Sequence, residues 1–152
     1  PAKPEIADYA FTTTKLNIGY ATLGHEKAQI IDTPGTLDRI DAMNAVEKQA
    51  YLAMRYVADL IVFVFDLTGQ YTYEKQLQLY EGVKKNRKPL LIYLSKTDLL
   101  EKKKIDDFKA QFPEALSNTD DLIAILKKKK RELFKVSGIE AEASAPMRDR
   151  KK

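Results

Sequence analysis

The stretch Ala28-Gln29-Ile30-Ile31-Asp32-Thr33-Pro34-Gly35 decides how the chain is read. An apolar pair runs into an aspartate, and Thr-Pro-Gly then takes the backbone out of strand geometry. Pro34 fixes φ and lacks an N–H, while Gly35 permits close approach of another group. A carboxylate at a strand tip, followed by a bare glycine N–H, suits metal–phosphate chemistry. The acid can hold a hydrated Mg²⁺ and the amide can meet a phosphate oxygen. The same four letters also suit an ordinary strand exit, so the neighbouring residues must decide.

Upstream, Pro1 to Tyr9 reads as an extended arm and Phe11-Thr12-Thr13-Thr14 follows. Leu16 to Leu23 reads as a strand with one wet face, Gly24 to Lys27 as a turn, and Lys27 to Asp32 as its antiparallel return. That hairpin would bring Thr12, Thr13 and Asp32 to one edge. Downstream, Thr36 to Ile40 is a loop. Asp41 is the expected N-cap of a helix reaching Val57, with Met43, Val46, Ala50, Ala53, Met54 and Val57 as its inner stripe. Leu60 to Asp66 is apolar without alternation, as in a strand buried on both faces. Thr72 to Lys85 reads as a helix packing through Tyr73, Leu77, Tyr80 and Val83. Leu90 to Leu94 reads as a second buried strand leading into Ser95-Lys96-Thr97-Asp98. A helix over Glu101 to Gln111 stops near Pro113. Another begins near Asn118 or Thr119 and ends in the lysine cluster. Phe134 to Val136 reads as a short last strand, and the residues from Glu140 onward as a disordered basic tail.

With 152 residues, 44% hydrophobic and 32% charged, the chain has the size and composition of one globular domain. It has no cysteine, which excludes disulfides, thiolate zinc and cysteine catalysis, and the lone His25 falls in a polar turn and receives no role. No apolar run reaches membrane-spanning length, and no membrane partner is expected. The net charge of +4 is concentrated at Lys127-Lys128-Lys129-Lys130-Arg131 and in the tail. Such a cluster can meet RNA phosphates, and it also suits a solvated helix end.

The strand–helix–strand series predicts parallel strands joined by right-handed crossovers, with ligands bound at their carboxyl ends. Asp32, Asp66 and the Ser95–Asp98 run all fall at that edge. Lys-x-Asp has a specific use there. One carboxylate can accept both the N1–H and the exocyclic amine of guanine, a donor pair that adenine lacks. The stem of Lys96 can lie along the base plane.

Taken together, these residues resemble a GTPase G domain of the Obg–Nog group, most of all its Nog branch. The likeness runs from about Pro1 to Asp98. Ala7-Asp8-Tyr9-Ala10-Phe11-Thr12-Thr13 is similar to that group's switch I, and Asp32-Thr33-Pro34-Gly35 followed by Leu37-Asp38-Arg39 to its switch II. Glu47 to Ala50, with Ala53 and Arg55, resembles the helix after switch II, and Ser95-Lys96-Thr97-Asp98 the guanine motif. The resemblance implies a P-loop NTPase-like α/β fold, with a mostly parallel sheet, one antiparallel strand and helices on both faces. It implies that Thr13 ligates Mg²⁺ beside Phe11 and Thr12, that Asp32 holds the ion through water, and that Thr33, Pro34 and the Gly35 amide meet the γ-phosphate. Asp98 would read guanine, with Ser95, Lys96 and Thr97 around it. The implied ligands are GTP or GDP with Mg²⁺, and the implied reaction is hydrolysis of GTP to GDP. The implied setting is ribosome assembly, with ribosomal RNA or the large subunit as partner, in the cytoplasm or, in a eukaryote, the nucleolus.

The sequence departs from that pattern in four places. No Gly-x-x-x-x-Gly-Lys-Ser/Thr occurs, so residues 1–139 are expected to form a partial G domain without its first strand, phosphate loop and first helix, ahead of a tail over 140–152. Such a fragment should bind nucleotide weakly, and unpaired strand edges should favour self-association. Thr36 stands at the usual place of a water-orienting glutamine, which implies slow hydrolysis. Ser95 replaces the usual Asn or Thr. The loop that contacts the base is either Ser137-Gly138 or Ser117-Asn118. A nucleotide-independent scaffold, docking on RNA or protein through the lysine-rich helix, is the competing reading.

Overall fold

The computed structural model describes residues 16–33 and 43–136, with side chains through 133. It is a mixed α/β arrangement of two separate two-stranded sheets and four α-helices among the described residues. β1 (Asn17–Leu23) and β2 (Glu26–Asp32) form the expected antiparallel hairpin, in register from Asn17↔Asp32 to Leu23↔Glu26. Gly24 takes φ +73°, which lets the chain reverse in two residues.

The first helix begins later than the sequence suggests. Asn44, not Asp41, caps α1 (Ala45–Leu52). The Glu47 N–H donates to Asn44 Oδ1 at 2.9 Å, and the Asn44 N–H donates to Glu47 Oε2 at 2.8 Å. Each side chain thus satisfies a backbone donor of the other, a reciprocal capping box. The helix then widens into a π turn (Ala53–Val57), closed by the Ala58 N–H on the Ala53 carbonyl at 2.9 Å. The extra residue per turn rotates the stripe. Met43, Ala50 and Met54 are buried, but Val57 is 60% exposed.

β3 (Ile61–Asp66) and β4 (Leu90–Ser95) pair in parallel from Ile61↔Leu90 to Asp66↔Ser95, joined across α2 (Tyr73–Lys84). Leu116 adds a bridge on the outer side of β4, receiving the Leu94 N–H at 2.7 Å and donating its own to Ile92 at 2.9 Å. Beyond β4 come α3 (Lys102–Gln111) and α4 (Thr119–Val136).

An aromatic core covers one face of this sheet. Phe65 is fully buried, with its ring centroid 4.8–6.2 Å from those of Phe63, Tyr73, Tyr80, Phe108 and Phe112. These tilted and edge-on pairs add to simple area burial. Burial raises the Tyr73 and Tyr80 hydroxyls above their ordinary values.

Three expectations are corrected. A single sheet was expected, but β2 and β3 belong to different sheets. No strand among the described residues joins their edges. Burial on both faces was expected for β3, but Val64 on the far face is 54% exposed. α2 packs through Tyr73, Leu77, Tyr80 and Val83 as expected, with Gln76 and Leu79 buried beside them. Phe134 to Val136 is the last turn of α4 and not a strand, since the helix runs on past the lysine cluster.

Candidate guanine-recognition edge

The carboxyl ends of β3 and β4 carry a connected polar network. Their parallel register sets Asp66 beside Ser95. Ser95 Oγ donates to the Phe65 carbonyl at 2.9 Å. The serine hydroxyl therefore ties the start of its own motif to the neighbouring strand. Lys96 takes φ 52° and ψ 38°, a left-handed conformation that costs a lysine of order 1 kcal/mol. Strain of this kind persists only where neighbours hold it, and here the Leu99 N–H closes on the Lys96 carbonyl at 3.0 Å. The turn Thr97–Leu99 follows, with Asp98 exposed at the edge.

Lys96 Nζ reaches Asp66 Oδ2 at 2.7 Å. Asp66 Oδ1 accepts the Thr68 hydroxyl at 2.6 Å and the Thr68 N–H at 2.9 Å. Burial works to raise the Asp66 carboxyl, but hydrogen bonds from Lys96 and Thr68 outweigh it, and the group titrates below its ordinary range. Beneath lies Gln76, 3% exposed. Its Oε1 accepts the Asp66 N–H at 2.9 Å, and its Nε2 donates to the carbonyls of Asp66 at 2.7 Å and Tyr71 at 3.3 Å. Gln76 thus completes the backbone pairing of the strand end.

The structure brings Ser95, Lys96, Thr97 and Asp98 together with Asp66. Asp32 is not joined to them. It sits exposed at the end of β2, with one long contact from Asn17 Nδ2 at 3.4 Å, and half-buried Thr33 follows it. An exposed carboxylate with one weak partner among the described residues has the donor chemistry of a ligand for a hydrated Mg²⁺, so it fits the implied ion. Among the described residues, no group of three or more acidic, His or Cys side chains is placed to hold a metal. Phe11, Thr12, Thr13, Pro34, Gly35, Thr36 and Ser137 lie outside the described residues.

The bridge at Leu116 runs parallel to β4, so Ser117 and Asn118 emerge at the same edge as Ser95–Asp98. Asn118 Oδ1 accepts the Asp120 N–H at 2.7 Å, and Thr119 Oγ1 lies 3.2 Å from the Tyr93 hydroxyl, which fixes the start of α4 there. Gln76, Thr68 and Leu116 were missed in the sequence. Gln76 had a signal, because it stands in i, i+3, i+4, i+7 step with Leu79, Tyr80 and Val83. Leu116 had none, since a one-residue bridge has no periodicity.

A family of GTP-binding proteins matches the middle of the chain. The model for nucleolar GTP-binding protein 1 aligns with residues 45–98, from the first residue of α1 to Asp98. An uncharacterized protein of Methanocaldococcus jannaschii is 39% identical over 108 residues, 68% of this chain and 30% of that protein. Nucleolar GTP-binding protein 1 of Saccharomyces cerevisiae is 32% identical over 117 residues, 74% of this chain and 18% of that protein. The protein of that name in Arabidopsis thaliana is 30% identical over 146 residues, 93% of this chain and 22% of its own length. The resemblance to Nog-type proteins read from the sequence therefore stands. The chain spans less than a third of the length of each of these relatives.

Proposed function

We propose that this chain is the switch-and-guanine part of a Nog-type G domain, and that Asp98 reads guanine in a protein that binds GTP and GDP with Mg²⁺. The observation that carries the reading is the edge itself. Two parallel strands end in register, and a left-handed Lys96 turns the chain so that Asp98 stands exposed beyond them. In this reading Lys96 supports the base, and Ser117-Asn118 supplies the second base-contacting loop. Ser117-Asn118 is preferred to Ser137 because a residue paired with β4 leads into it, whereas the residues before Ser137 are helical.

Toward the metal, Asp32 and Thr13 would hold Mg²⁺, with Phe11, Thr12 and Thr33 to Gly35 lining the phosphate side. The ion would neutralise charge on the transferred phosphoryl group, and the chain's part is to position and orient. With Thr36 in place of a glutamine, hydrolysis should be slow. The proposed setting is large-subunit ribosome assembly, in the cytoplasm or nucleolus. The mostly parallel G-domain sheet would be completed by a strand between β2 and β3.

Amide NMR of the chain titrated with millimolar GMP and AMP tests the edge directly. GMP should shift resonances at Ser95 to Asp98 and at Ser117 and Asn118, and AMP should not. Equal shifts for both nucleotides, or shifts elsewhere, would refute the assignment.

A further inference from the structure

We infer that the outer face of α4, formed by Lys127, Lys128 and Arg131, is a docking surface for the phosphate backbone of single-stranded RNA, separate from the guanine edge. The five consecutive cations of this helix do not share one role. Lys130 is only 18% exposed and turns inward, bonding Glu26 at 3.0 Å and the Lys27 carbonyl at 2.6 Å. It pins the helix to the turn end of the hairpin. Lys129 pairs with Glu132 at 3.2 Å. Lys127, Lys128 and Arg131 line one open groove with Ala124 and Glu132, and no ion pair holds them among the described residues. The nearby carboxylates, Glu26 and Glu132, are already matched to Lys130 and Lys129. Lys127 and Arg131 are like charges one turn apart, an arrangement that works against a helix until an anion lies between them.

The position of the patch matters as much as its charge. α4 starts at the carboxyl edge through Tyr93 and Thr119. Its second half reaches the opposite edge, where Lys129, Glu132 and Leu133 line a groove with Leu60 and Pro89 at the entries of β3 and β4. An 18-residue helix is about 27 Å long, so RNA on the basic half would leave Asp98 free. The chemistry favours nucleic acid over an acidic protein. Protein interfaces centre on buried aromatic or apolar anchors and are poor in lysine, and this groove offers only Ala124. Phosphate contacts need no apolar centre. A lipid surface would need an exposed apolar stripe, but Leu122, Ile123, Ile125 and Leu126 are partly buried.

The test is fluorescence anisotropy of a labelled twelve-nucleotide oligouridylate with the chain, from 50 to 200 mM KCl. Three phosphate contacts at about 0.7 each predict a log–log salt slope near −2, so affinity should fall about fifteen- to twentyfold over that range. K127Q/K128Q/R131Q should lose at least tenfold in affinity at 50 mM while keeping the wild-type circular dichroism. K102Q/K103Q/K109Q removes the same charge from exposed positions on α3 and should bind as wild type. Equal loss in both triple variants, salt-independent binding, or no binding by wild type at 50 mM would overturn the proposal. So would displacement of the RNA by polyglutamate at equal charge, which would assign the face to an acidic protein. Binding to phosphatidylserine vesicles without RNA binding would assign it to a membrane, with the same consequence.

Discussion

Asp66 and Lys96 stand thirty positions apart in the chain and meet at 2.7 Å, at the ends of two parallel strands. The pair holds Lys96 beside the edge at which the proposed base-reading carboxylate, Asp98, is exposed. Its carboxyl titrates below the ordinary range, so the stability it gives is fully present above about pH 4 and is lost as pH falls through the lowered folded value. Lys96→Met should raise that carboxyl and shift the loss to higher pH. Because the lysine is largely exposed, the cost at pH 7 should be only about 0.5–1 kcal/mol. Urea unfolding at pH 7 and near pH 4 checks both points.

Gln76 should matter more than its neutral side chain suggests. Gln76→Leu leaves the N–H and carbonyl of Asp66 without their partner, at about 1–3 kcal/mol. Gln76→Glu keeps the acceptor but faces the Asp66 and Tyr71 carbonyls with a carboxylate, and should be worse. Denaturant midpoints rank the two variants.

Much of this was legible in the sequence for physical reasons that can be named. Both strands of the parallel pair, both strands of the hairpin, and α2 and α3 follow from apolar runs, turn residues and helical spacing. The start of α1 was misread because Asp41 and Asn44 are both good caps, and only Asn44 has a glutamate three residues on. That glutamate, Glu47, closes the cap with its side chain. Phe134 to Val136 looked like a strand because three residues carry no period, and the preceding helix simply continues through them. The polar cluster at the ends of β3 and β4 was legible because the Ser95–Asp98 run directly follows a buried apolar strand. Its support by Gln76 and Thr68 was not, because those contacts depend on how α2 returns to the sheet.

The capping box gives a local prediction. Asn44→Ala removes one hydrogen bond outright and leaves Glu47 with no cap side chain to match, so it should destabilise by about 1 kcal/mol. Asp41→Ala should cost less. Thermal melts followed by circular dichroism distinguish the two.

Phe65 is the centre of the aromatic core, so Phe65→Ala should cost about 3–5 kcal/mol. That is a large part of the stability of a domain this size. Phe65→Leu should cost less, since it keeps most of the volume. Urea unfolding of both variants gives the comparison.

Asp98 carries the central claim. Calorimetry on a chain joined to a strand and phosphate loop upstream should show GDP binding, with ADP weaker by about 1–3 kcal/mol, roughly five- to a hundred-and-fiftyfold. Asp98→Asn should reverse the donor and acceptor pattern at the base and move the preference to xanthosine diphosphate. Equal affinity for GDP and ADP, or an Asp98→Asn variant that keeps the wild-type preference, would contradict the account.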